Sequence, residues 1–261
     1  MHNQYHTMKN SLRAFFALLF ISLFTTSMAS AQFEGQISMK MYSNDNGKTD
    51  VSELNLYATS TRILIKGEEN FDLMDKMTTD GLLIRNDMKD FIIMTGSDEA
   101  LQVTKTEIEG LVDMLASWGG ESSGSSDSDD FKTDYSFSDR VKTINGYETT
   151  EMIVKDKENP DKHLSVWLAP KIDINWGMLS ERWKNMPESI DAEINGMSQE
   201  LIFKGKNFPM LVEAVEGNQR TKIMEVTNVN ESSVARAMVE IPAGVKLMSF
   251  KDYVFKMMME G

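Results

Sequence analysis

The chain has 261 residues, with 27 basic and 40 acidic side chains, three histidines and no cysteine. Without cysteine it has no thiol nucleophile, no disulfide, no Cys/His zinc site and no iron–sulfur cluster. A net charge of −13 argues against nucleic acid, where Lys and Arg must displace condensed counterions, and against an anionic membrane surface.

The amino terminus carries the strongest single signal. Lys9 and Arg13 precede the apolar run from Ala14 to Phe24, and Ala29-Ser30-Ala31 forms a small-x-small site before Gln32. The run suits a signal-peptide core and is short for a bilayer of about 30 Å. The expectation is an exported protein, periplasmic or secreted, cut between Ala31 and Gln32. No cysteine follows for lipidation, and no later stretch suggests a transmembrane span. Removing residues 1–31 takes away Lys9 and Arg13 and no acid. The remaining 230 residues carry 25 basic against 40 acidic side chains, a net −15, and His163 is the one histidine left. They are read as a single β-rich domain, 32–261.

Phe33, Gly35, Ile37, Met39 and Met41 alternate with polar residues, the period of a half-buried strand, and Asn46-Gly47 supplies a hairpin turn. Leu54, Leu56 and Ala58 alternate in the return strand and Ile63 and Ile65 in a third. Residues 82–85 and 91–94 pair as a further hairpin across Asn86-Asp87. Such an antiparallel meander is expected to bury one face only. Ile108, Leu111, Val112, Leu115 and Trp118 form a helical stripe over 106–118 that stops at Gly119-Gly120. The acidic Ser/Asp stretch that follows, about 119–132, has nothing to bury and is expected to be a disordered loop.

Strand patterns resume at 135–143, 147–155 and 164–169, the first two joined through Asn145-Gly146. A helical or irregular segment over 175–186 carries Trp176, Leu179, Trp183 and Met186. Further strands at 210–216 and 220–229 flank Gly217-Asn218, and Ser249 caps a final helix with Phe250, Tyr253, Val254, Met257 and Met258 on one face.

His163 follows Pro160-Asp161-Lys162 at an expected turn, and no G-x-S-x-G elbow accompanies it, so triad chemistry is not indicated. Asp127, Asp129 and Asp130 lack the glycine and glutamate of a calcium loop. Of 21 methionines 18 lie beyond residue 31, spread over nearly every strand where the alternation wants an apolar side chain. They read as core filler or an adaptable apolar cavity, ahead of a Cu(I) site. No catalytic residue, metal or cofactor is assigned. Residues 176–183 place two tryptophans on a short element between strands. They read either as a plug in a curved sheet or as a lid over an apolar pocket.

Phe33-Glu34-Gly35-Gln36-Ile37, Ile144-Asn145-Gly146-Tyr147-Glu148 with Val166-Trp167-Leu168-Ala169, and Ile241-Pro242-Ala243-Gly244-Val245 resemble the exported bacterial proteins of domain-of-unknown-function family 4412. Thr149 and Thr150 stand where several members carry a cysteine. The resemblance implies no catalytic residues. It does imply an architecture like that of the lipoprotein-localisation carriers, a curved, incomplete antiparallel barrel closed by helices over an apolar cavity.

The fold expected is therefore mainly β with a few helices, in that incomplete-barrel form. The first functional expectation is a non-enzymatic binding protein holding a lipid or acyl chain. Its ligand would lie against Met39, Met41, Ile63, Ile65, Trp167, Trp176, Met178 and Trp183. The second is an envelope structural or protein-interaction module with a filled core. The third is a carboxylate-dependent hydrolase using two acids beside a tryptophan.

Overall fold

A computed structural model of the chain describes residues 32–45, 48–74, 77–95, 98–110, 135–155, 159, 161–184 and 198–260. The expected signal peptide, the expected Asn46-Gly47 turn, the stretch 119–132 expected to be a loop, and Leu111, Val112, Leu115, Trp118 and Met186 all lie outside the described residues.

Alternation at period two becomes twelve strands of one sheet. They are β1 (Gly35–Asp45), β2 (Lys48–Ala58), β3 (Arg62–Met74), β4 (Met77–Arg85), β5 (Asp90–Met94) and β6 (Glu99–Thr104), then β7 (Tyr135–Ile144), β8 (Tyr147–Lys155), β9 (Lys162–Ala169), β10 (Phe208–Glu216), β11 (Gln219–Glu231) and β12 (Lys246–Ser249). Their order is β12-β6-β5-β4-β3-β2-β1-β11-β10-β9-β8-β7. Two local meanders therefore meet at the non-local β1–β11 pair, where Gly35 faces Glu231 and Met41 faces Met224. Every pairing is antiparallel except β12 on β6, which is parallel. Asn145 and Gly146 take positive φ, 49° and 84°, to turn β7 into β8.

The expected curved antiparallel sheet is present, but it stays open at β12 and β7. Most of the helix expected to close it lies outside the described residues, and the described cover of the inner face is largely not α-helical. That face is occupied by the stretch 172–183, irregular through 176 with a single 3-10 turn at Gly177–Ser180, and by a π-helix at Ser198–Phe203. An α-helix does not form across 172–183 because Gly177 takes a left-handed φ of 51° and Asn175 turns its side chain back on the Gly177 amide. The helix expected at 106–118 is described over 105–110 (α1). Its first turn carries a reciprocal cap, Glu107 N–H to Thr104 Oγ1 and Thr104 N–H to the Glu107 carboxylate. The final helix α2 (Phe250–Glu260) starts where Ser249 accepts the Asp252 amide, as its sequence indicated.

The first meander corrects the one-face expectation, since every residue of β5 is buried. One face meets the inner cluster. The other carries Leu64, Leu83, Ile92, Met94 and Ala100 beneath Val239, with Val234, Ile241 and Val245 packed beside them. This cover is the strap 232–245, which carries the chain from β11 back to β12. Arg62 fastens it, with Nη1 to the Val239 carbonyl at 3.2 Å and to Glu240 at 2.5 Å, while Nη2 reaches Asp87 at 2.7 Å. No described helix is long and apolar enough to cross a membrane.

Candidate functional site

Seven of the eight residues selected from sequence come together on the inner face. Ile63, Trp176, Met178 and Trp183 lie in the main buried cluster with Ile37, Leu56, Ile84, Phe91 and Phe208. Met39, Met41 and Ile65 are half-buried against it. Trp176 stacks parallel to Phe208 at 6.4 Å and meets Phe203 of the π-helix edge-on at 5.2 Å. Trp183 leans on Phe91 at 5.9 Å, with the Lys105 ammonium 5.5 Å above its ring.

Backbone-directed hydrogen bonds hold this plug in place. Asn86 Nδ2 donates to the Asn175 carbonyl at 2.9 Å, Asn175 Nδ2 donates to the Ser60 carbonyl at 2.7 Å, and the Phe33 amide donates to the Asp173 carbonyl at 2.7 Å. Lys206 pairs with the buried Asp173 at 2.7 Å. No periodicity marked Asn86 or Asn175, because amides that fix a loop through carbonyls leave no hydropathy signal.

Register exposes a further feature of this face. Phe137, Met152, Val166, Val212, Met224 and Met41 are successive cross-strand partners on β7, β8, β9, β10, β11 and β1. Five interstrand steps make this an unbroken apolar row of about 24 Å. In its middle Met152, Val166 and Met224 are buried and Val212 half-buried, with Met152 and Val166 in a cluster that Leu201 of the π-helix packs against. Its two ends, Phe137 and Met41, are exposed and half-buried.

Trp167 is not part of this site. Within β9, Val166 and Leu168 point to the inner face, so Trp167 and Ser165 point to the other. There it is buried beneath Lys142 Nζ, 4.0 Å from its ring, and the Arg140 guanidinium, at 5.6 Å. Its Nε1 has no hydrogen-bond partner among the described residues. Beside it the fully buried Glu151 carboxylate accepts from Ser165 at 2.5 Å, Ser138 at 2.7 Å and Arg140 Nε at 2.6 Å, with Arg140 Nη2 closing the pair. Burial pushes the Glu151 carboxyl up, but the bonds from Arg140, Ser165 and Ser138 outweigh it and hold the group at about 2. Burial also lowers the Lys142 ammonium. A carboxylate ionised this firmly, with its lone pairs taken, is unsuited to general acid–base work, so the acid–tryptophan pairing of the hydrolase reading gains nothing here. His163 stands inside β9 opposite Val215 and Lys155, not at a turn. Among the described residues no three His, Asp or Glu side chains converge as a metal site requires.

A separate cavity of about 240 Å³ lies under α2, floored by Leu101 and Met248 and walled by Tyr253 and the Glu99–Lys256 ion pair.

No described protein family matches the sequence, and no functionally curated protein does. The resemblance to family 4412 therefore stays with the short motifs that carry it. Among solved structures, the chain is similar to PNGF-II, with a TM-score of 0.42 and 10% identity over 87% of this chain and 33% of that one. It spans about a third of PNGF-II's length. It is also similar to MucB in complex with MucA(peri), at 0.40 and 10% over 84% and 58%. A third likeness is to the LolA superfamily protein NE2245 from Nitrosomonas europaea, at 0.29 and 9% over 81% and 91%. All three scores fall below 0.5, and the functional reading that follows rests on the chain's own residues.

Proposed function

We propose that the chain is an exported, non-enzymatic binding protein that holds an apolar ligand, a lipid or acyl chain, along the inner face of its open sheet. The observation that carries this reading is the apolar row from Phe137 to Met41. A sheet face meant only to be sealed has no need for apolar side chains left partly open at both ends of one continuous line. Ile65 and Met39 widen the half-buried end, and the thioethers of Met39 and Met41 adapt their shape at low cost. Affinity comes from removing the ligand's apolar surface from water, with Trp176, Met178 and Trp183 as the wall that excludes solvent.

A second reading, an envelope interaction module with a filled core, is favoured by the burial of those same three side chains. Native mass spectrometry of residues 32–261, exported to a periplasm and also incubated with phosphatidylethanolamine vesicles, separates the two. A bound mass that is lost in Met41→Gln and kept in Trp167→Phe, on the opposite face, is the expected result. A clean apo mass under both conditions overturns the carrier and leaves the filled-core module.

A further inference from the structure

The twelve-stranded sheet has two edges, and they are built differently. β12 is four residues long and flanked by α2. β7 is ten residues long, and among the described residues no strand pairs with its outer side. Long exposed edges are ordinarily shortened, covered or charged, because their free N–H and C=O groups template another strand. β7 is only partly protected. A register irregularity separates Phe137 from Val141, and there Arg140 is drawn onto Glu151. On either side of it Tyr135, Phe137 and Val141 stand 40%, 53% and 60% exposed on the inner face. Tyr135 and Phe137 hold an edge-to-face contact at 6.4 Å.

We infer that β7 is a docking edge for an extended segment of a partner protein, added as a thirteenth strand, with alternate apolar side chains and a net positive charge. Strand shape follows from the open backbone groups, which an acyl chain cannot satisfy but a peptide backbone can. Alternation follows from the spacing of Tyr135 and Phe137, which share one face while Ser136 takes the other. Positive charge follows from the excess of 40 acidic over 27 basic side chains. That excess favours a basic partner and repels both a second copy and an anionic bilayer. The inference does not depend on a ligand lying under the plug.

The test uses residues 32–261 and a synthetic eight-residue peptide of alternating valine and lysine, with fluorescence anisotropy as readout. Saturable binding is expected, weakening as salt rises. It should be abolished when every second peptide nitrogen is methylated, since that removes backbone donors and leaves charge and composition in place. Phe137→Lys should weaken it at least about tenfold. Leu247→Lys, an exposed position on β12, should leave it unchanged. Far-UV circular dichroism checks that both variants fold. Absence of binding, binding indifferent to N-methylation, or loss with Leu247→Lys in place of Phe137→Lys overturns the inference. So does a concentration-dependent dimer that Phe137→Lys dissolves, since the edge would then serve a second copy. The N-methylation and Leu247→Lys readouts are independent of whether a lipid mass is carried, whereas Phe137 also ends the apolar row; loss of the lipid mass without loss of peptide binding tells the two apart.

Discussion

Gly177 offers the sharpest test of how the plug is held. Its φ is 51°, and a Cβ built on it would lie 1.8 Å from Asn86 Oδ1. In Gly177→Ala the left-handed backbone costs about 1–2 kcal/mol relative to glycine. Asn86 must also swing away and give up its bond to the Asn175 carbonyl, a further loss of about 1 kcal/mol. The expected destabilisation is about 2–3 kcal/mol, a fall in Tm of roughly 4–12 °C for a domain of this size. Chemical denaturation measures it directly, and a double-mutant cycle assigns it. In an Asn86→Ala background the collision is gone, so Gly177→Ala should cost only the backbone share, with a coupling of about 1 kcal/mol. Equal costs in both backgrounds, or a Gly177→Ala penalty under about 0.5 kcal/mol, would refute the clamp and make the plug a passive filler.

Two further outcomes follow from the polar contacts. Glu151 titrates at about 2 in the folded chain, below the value of about 4.3 for an unfolded glutamate. Its contribution is thus complete above roughly pH 5 and is lost as the pH falls through 4 toward 2. Glu151→Gln should cost about 2 kcal/mol at pH 7 and almost nothing at pH 2.5 by denaturant midpoint; a gap independent of pH would sink the assignment. Arg62→Ala removes both contacts to the strap, at Val239 and Glu240, together with the Asp87 ion pair, and should destabilise by about 3 kcal/mol. Hydrogen exchange should quicken at Val239 and through β12, and Arg62→Lys should fail to restore protection, because one ammonium cannot reproduce the guanidinium's forked contacts.

Local chemistry was legible and long-range geometry was not. Alternation located β1, β2, β3 and the β7–β8–β9 meander, while Asn145-Gly146, Gly217-Asn218 and Ser249 marked two turns and a helix start through side chains that act within a few residues. β6 and β12 escaped notice: the first offers only Leu101 and Val103 as an alternating pair, and the second is four residues whose parallel partner is set by a distant strap. Burial of both faces of β5 was invisible for the same reason, since the covering residues, Val234 to Val245, come from the far end of the chain. Trp167 shows the limit most plainly. Alternation says that it opposes Leu168, but only the register of Leu168 with Thr150, and of Val166 with Met152 and Val212, tells which of the two faces inward. Glu151 carried no signal in the sequence, because nothing nearby announces that Arg140, Ser138 and Ser165 will enclose it.

The β1–β11 joint also sets the order in which the molecule can be made. Within each meander most strand pairs are hairpins between neighbours in sequence, available early, whereas β10 follows β9 only after the connection 170–207 and Gly35 must wait for Glu231 before the halves can join. Closing that long a loop costs on the order of 5 kcal/mol of chain entropy before any contact repays it. The strap, β12 and α2 are later still in sequence, so the apolar outer surface of β3–β6 has no cover until the last thirty or so residues have arrived. A chain built this way stays incompletely assembled for most of its synthesis, with that apolar surface open to wrong partners until its own carboxyl end arrives.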